Sequence, residues 1–92
     1  MSINPFRDNA SLGRFELAAD GGVAFADYRR AGQSLIIDHV ETPMALRGTG
    51  VAARLMEAVA EQARRENLKL VPICSYAVAW LQRHPEHADL LG

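Results

Sequence analysis

The chain has 92 residues, 49% of them apolar and 23% charged, which suits a single ordered domain and excludes a disordered segment. Its net charge of −1, with acids and bases interleaved, argues against general affinity for nucleic acid or an anionic membrane surface. No apolar run nears the ~18 residues of a membrane span, and a single cysteine excludes an internal disulfide and suits a reducing compartment.

Residues 1–7 hold no basic patch followed by an apolar stretch, so no signal peptide is expected and the protein is expected in the cytoplasm. Residues 11–19 set Leu12, Phe15 and Leu17 among polar side chains and run into Asp20-Gly21-Gly22, a strand followed by a turn. Residues 23–30 predict a second strand, with Val23, Phe25 and Asp27 on one face, and residues 35–42 a third, dense in β-branched side chains. The short connections predict a three-strand antiparallel meander. Pro43 opens a brief loop by holding Thr42 extended.

From Gly50 the period changes. Val51, Leu55, Val59 and Ala63 recur every four residues, with Arg54, Glu57, Glu61 and Arg64 opposite, which predicts a helix over 51–65 that stops near Asn67. Residues 68–74 predict a fourth strand, and residues 76–83 a short helix that ends before Pro85, with one more helical turn in the tail. Trp80 and Leu81 are expected in the core. The fold class is α/β (α+β), one domain over residues 1–92. The third strand, helix and fourth strand should form a right-handed crossover with parallel strands. Ligands of open α/β sheets bind at the carboxyl edge of such strands. His39, Glu41, the glycine turn and Cys74 all fall at that edge.

The glycine turn Arg47-Gly48-Thr49-Gly50-Val51-Ala52 joins strand to helix. Such a turn leaves backbone N–H groups unpaired at the positive end of a helix dipole, a seat for a phosphate or diphosphate. A Walker A loop needs a lysine after its second glycine, and none is present. Gly48-x-Gly50-x-x-Ala53 does fit the dinucleotide pattern, yet no acidic residue ends the next strand, Val71-Pro72-Ile73-Cys74, and the chain is small for that fold.

Read in another frame, Arg47, Gly50 and Ala52 form R-x-x-G-x-A, which resembles the diphosphate loop of GNAT-type N-acetyltransferases. Four ordered motifs extend the likeness over roughly residues 10–91: His39-Val40-Glu41-Thr42-Pro43, Leu46-Arg47-Gly48-Thr49-Gly50, Pro72-Ile73-Cys74 and Arg83-His84-Pro85-Glu86. Together they resemble a family of very small single-domain GNAT-like proteins. Val40 and Thr42 exchange the apolar and hydroxyl-bearing positions of that family's first motif, Ala52 replaces a frequent glycine, and His87 stands where a tyrosine is usual, so it is assigned no role. Compared with full-length GNAT enzymes, the chain lacks helices after its first strand and strands beyond its last helix, which normally build the acceptor pocket.

The resemblance implies a minimal GNAT-like fold and acetyl-CoA as cosubstrate, held by Leu46, Arg47, Gly48, Thr49, Gly50, Val51, Ala52 and Cys74. Arg47 can add charge-assisted contacts. Glu41 and His39 alternate onto one strand face about 7 Å apart by strand rise, and either can take the proton that an attacking amine must lose. Cys74, just before a helix start that favours a thiolate, could accept the acetyl group or border the thioester; a small buried hydrophobe is the plainer reading. Tyr76 could protonate the departing thiolate, as a tyrosine does in many GNAT enzymes. His84 and His87 lack a nearby cysteine or carboxylate set in sequence, so no metal is expected. The leading function is acetyl transfer to an amine of a small molecule, peptide or protein, without nucleic acid or membrane. A module that only binds CoA or acyl-CoA is the alternative, and a ligand-free interaction domain is the third.

Overall fold

The computed structural model describes residues 5–92; most of the leader reading rests on residues 1–4, outside that range. Five strands, β1 (Phe6–Asn9), β2 (Arg14–Ala19), β3 (Gly22–Ala31), β4 (Ser34–Glu41) and β5 (Lys69–Pro72), form one sheet in chain order. The first four are antiparallel neighbours, and β5 joins β4 in parallel. Helix α1 (Val51–Arg65) makes the crossover between them, and α2 (Ser75–Gln82) follows β5. The expected α/β architecture therefore stands, with one strand more than the sequence suggests. β1 has Phe6 opposite Leu17 and Arg7 opposite Glu16, so its pairing supplies the order that its own short, polar sequence does not advertise. No described helix is long and apolar enough to cross a membrane.

One core joins both layers. Phe15 and Leu17 of β2, Ala24, Ala26 and Tyr28 of β3, and Leu35 and Ile37 of β4 point inward, against the Val51, Leu55, Met56, Val59, Ala60 and Ala63 stripe of α1. On β3 the buried face is the alanine–tyrosine one. Val23, Phe25 and Asp27 share the opposite face, where the Arg14 guanidinium lies 3.8 Å from the Phe25 ring centroid. That outer face also carries the cross-strand pairs Arg7–Glu16 and Arg14–Asp27. Phe15 stacks between Phe6 and Tyr28. Helix α1 stops where Asn67 turns left-handed, at φ 55°.

A β-bulge sets which side of the sheet the end of β4 presents. Tyr28 pairs with Ile37, but the next residue, Asp27, pairs with His39, so Asp38 is the extra residue. Cross-strand partners share a face. Val40, opposite the buried Ala26, therefore turns toward the core, while His39 and Glu41, opposite Asp27 and Phe25, face outward. Without the bulge, the phase set by Leu35 and Ile37 would send both toward the core.

Candidate functional site

After β4, Pro43 ends the strand and a 3₁₀ turn spans Met44–Leu46. The glycine turn before β3 fits against this segment so closely that a Cβ on Gly22 would lie 3.0 Å from Pro43 Cγ. Leu46, buried, anchors the loop to the core. The chain then turns through Gly48 and Gly50, both with φ near 80°, a conformation costly for any residue with a side chain. Gly50 is the N-cap of α1, and its carbonyl accepts the first helical bond from Arg54 N–H at 3.1 Å.

Two of the loop's amides are used internally. Arg47 N–H bonds Met44 O at 3.2 Å, and Thr49 N–H bonds Leu46 O at 3.2 Å, seconded by the Thr49 hydroxyl at 2.5 Å. The N–H groups of Gly48, Gly50, Val51, Ala52 and Ala53 have no acceptor among the described residues. The seat expected over 47–52 is thus narrower at Arg47 and Thr49 and extends to Ala53. Helix α1 also has no side-chain cap and no acid in its first turn, although each would stabilise an ordinary helix start by about 0.5–1 kcal/mol. The donors stay open.

A cleft of about 520 Å³ forms over this helix start, a size typical of small-molecule sites. It is lined by His39 to Thr42 from the end of β4, by Leu46, Arg47, Gly48 and Gly50 from the loop, by Val51 to Ala53, and by Tyr76. The structure therefore gathers His39, Glu41, most of the loop and Tyr76 around one space. His39 Nε2 lies 2.7 Å from Glu41 Oε1, with both side chains about half exposed. An ionised carboxylate only accepts, so in the neutral imidazole Nε2 carries the hydrogen and Nδ1 keeps the basic lone pair. The Tyr76 hydroxyl has no hydrogen-bond partner among the described residues, and burial raises its pKa; Arg83 opposes that rise and Cys74 adds to it. The phenol stays protonated at neutral pH and can donate.

The sequence profile of the GCN5-related N-acetyl-transferase family matches residues 14–90. The chain belongs to that family. A GCN5-like candidate N-acetyltransferase from Staphylococcus aureus, solved in solution by NMR, superposes with a TM-score of 0.71 and 26% identity, over 100% of this chain and 91% of the other. Among curated proteins, none matches in sequence.

Two residues that the GNAT likeness singles out lie apart from the cleft lining. Thr49 spends its amide and hydroxyl on the turn. Cys74 is half-buried against the core as the N-cap of α2, where its Sγ accepts the Ala77 N–H at 3.3 Å. Val40, Thr42 and Ala53 line the cleft without having been expected there; for Val40 the hidden signal is the phase change at Asp38.

His87 has more company than its sequence neighbours suggest. It is buried, with Nε2 2.6 Å from Glu57 Oε1 and Nδ1 3.1 Å from Arg64 Nη2, and Glu86 completes a His–Glu–Glu group. The expectation of no carboxylate set near it fails, because α1 supplies Glu57 from thirty residues away in the chain. Arg64 can only donate, so Nδ1 accepts and Nε2–H donates to Glu57. A guanidinium so close to the ring opposes a divalent cation there. His84 and His87 both stack with the Trp80 ring, at centroid distances of 3.9 and 5.7 Å. The cluster pins the C-terminal segment onto α1 and α2.

Proposed function

We propose that this chain is an acyl-CoA-dependent N-acetyltransferase that moves the acetyl group of acetyl-CoA to an amine of a small molecule, peptide or protein. The observation that carries the reading is the juxtaposition, in one cleft, of the unpartnered N–H groups at the start of α1 with the His39–Glu41 pair. A diphosphate fits the donor set: Gly48, Gly50, Val51, Ala52 and Ala53 offer N–H groups, the helix dipole favours negative charge, and Arg47 lines the same wall. Acetyl-CoA supplies a thioester-activated acetyl group. Glu41 holds the His39 ring through Nε2–H, leaving Nδ1 to accept the proton of the incoming amine, directly or through a water. The Tyr76 hydroxyl can donate a proton to a developing thiolate. Cys74 lies outside the cleft lining and its Sγ accepts the Ala77 N–H at the start of α2, which favours a structural role over direct attack.

The first experiment is a thermal shift with acetyl-CoA. At a hundredfold excess over Kd, selective binding stabilises the fold by about 2.7 kcal/mol, a rise of roughly 10–20 °C for a domain of this size. No shift at millimolar ligand refutes the reading. Thiol release with a panel of amines then separates an enzyme from a module that only binds CoA, a second reading favoured by the exposure of His39 and Glu41. Amine-dependent release that falls in Glu41→Gln and His39→Ala supports transfer, and equal slow release in every variant supports the binder.

A further inference from the structure

The ten lysine and arginine residues of this chain divide unevenly. Arg7, Arg14, Arg29, Arg30 and Arg64 hold carboxylates, Arg65 bonds Gln62 and Lys69 bonds the Asp89 carbonyl. Arg47, Arg54 and Arg83 alone form no side-chain hydrogen bond or ion pair among the described residues. Arg47 lines the cleft, Arg54 closes the first turn of α1 onto Gly50, and Arg83 is the C-cap of α2, seven residues after Tyr76.

Arg54 is the informative member. The acid nearest along the helix, Glu57, is held by His87 at 2.6 Å, and the residues at its other helical neighbours, Gly50, Val51 and Ala58, carry no charge. Helical side chains lean toward the N-terminus, over the turn before their own Cα, so the Arg54 stem leans toward the open donors of Gly50 and Val51. Its guanidinium is exposed and uncommitted about one helical turn from a seat whose neutral N–H groups already suit a diphosphate. CoA carries, beyond its diphosphate, a separate phosphate on the 3′-oxygen of the ribose.

We propose that Arg54 is the specificity-determining residue for this 3′-phosphate, so that the protein distinguishes CoA from dephospho-CoA through one side chain on α1. The inference rests on the CoA reading above. A planar guanidinium meeting a dianionic phosphate makes charge-assisted, two-pronged hydrogen bonds; at an exposed site these are worth about tenfold in affinity, and less as salt rises.

Titration calorimetry at low salt tests it with CoA and dephospho-CoA on the wild type, Arg54→Gln and Arg65→Gln, the last removing an equal charge at the far end of the same helix. The expected result is a preference for CoA of about tenfold in the wild type and Arg65→Gln, reduced to near unity in Arg54→Gln with dephospho-CoA affinity unchanged. Equal affinity of the wild type for both ligands overturns the inference, as does a preference that survives in Arg54→Gln. Equal weakening of both ligands in Arg54→Gln also overturns it, since the side chain then serves the shared diphosphate. Binding of neither ligand to the wild type removes the CoA reading itself, and this inference with it.

Discussion

Placing a glutamate at position 53 separates a helix start shaped for stability from one kept open for an anion. Ala53 is the third residue of α1, beside the cleft. From that position a glutamate reaches back to the free Gly50 N–H and complements a helix dipole that now has neither cap nor acid. The gain is about 0.5–1 kcal/mol, or roughly 2–8 °C in Tm for a domain of this size. The same carboxylate occupies the diphosphate seat. At about 5 Å, like charges repel by roughly 1–3 kcal/mol between bulk-water and protein-surface dielectric limits, a loss of about five- to 150-fold in Kd. Ala53→Glu is therefore expected to melt higher and bind CoA worse, while Ala53→Gln keeps part of the capping without the repulsion. Differential scanning calorimetry and titration calorimetry read the two effects separately. A glutamate variant that is stabilised and binds CoA as tightly as the wild type would refute the assignment of those N–H groups.

Three further outcomes are expected. Glu41→Gln and His39→Ala should each lower amine-dependent thiol release by roughly 10²–10⁴, with Tm nearly unchanged because both side chains are about half exposed. Leu55→Ala, at a fully buried position facing the sheet, should cost about 2–5 kcal/mol by denaturant unfolding; a loss below 1 kcal/mol would mean that α1 is not the roof of the core. Glu66, whose carboxyl Arg30 and then Gln62 hold below its ordinary value of 4.5, favours the fold above that value and loses the contribution as pH falls through the lowered one. The Tm advantage of the wild type over Glu66→Gln, measured from pH 7 downward, should shrink below pH 4.5.

Much of this architecture can be read from side-chain spacing. Helix α1 spans the very residues its four-residue period marks, 51–65, because one apolar stripe faces one sheet. β4 lies within a residue of its β-branched run. β1 escaped because a four-residue edge strand with one phenylalanine has no period of its own. At the site, the glycine turn and the His39–Glu41 alternation were legible, since both are local. The spent amides of Arg47 and Thr49, the Cys74 cap and the His87–Glu57 contact were not, because each depends on a partner fixed only when the segments pack.

The extra residue at Asp38 has a consequence for how this molecule tolerates change. Odd and even positions exchange roles along β4 at that point, so the side on which His39 and Glu41 emerge is governed by residue count rather than by side-chain chemistry. Deleting Asp38 removes the irregularity and leaves His39 opposite Asp27, and adding one residue beside it also restores an even spacing between the inward Ile37 and Val40, so His39 and Glu41 stay outward either way. A single-residue change in length here thus keeps the outward pair, whereas erasing the bulge at constant length turns His39 and Glu41 toward the core while both letters remain in the sequence.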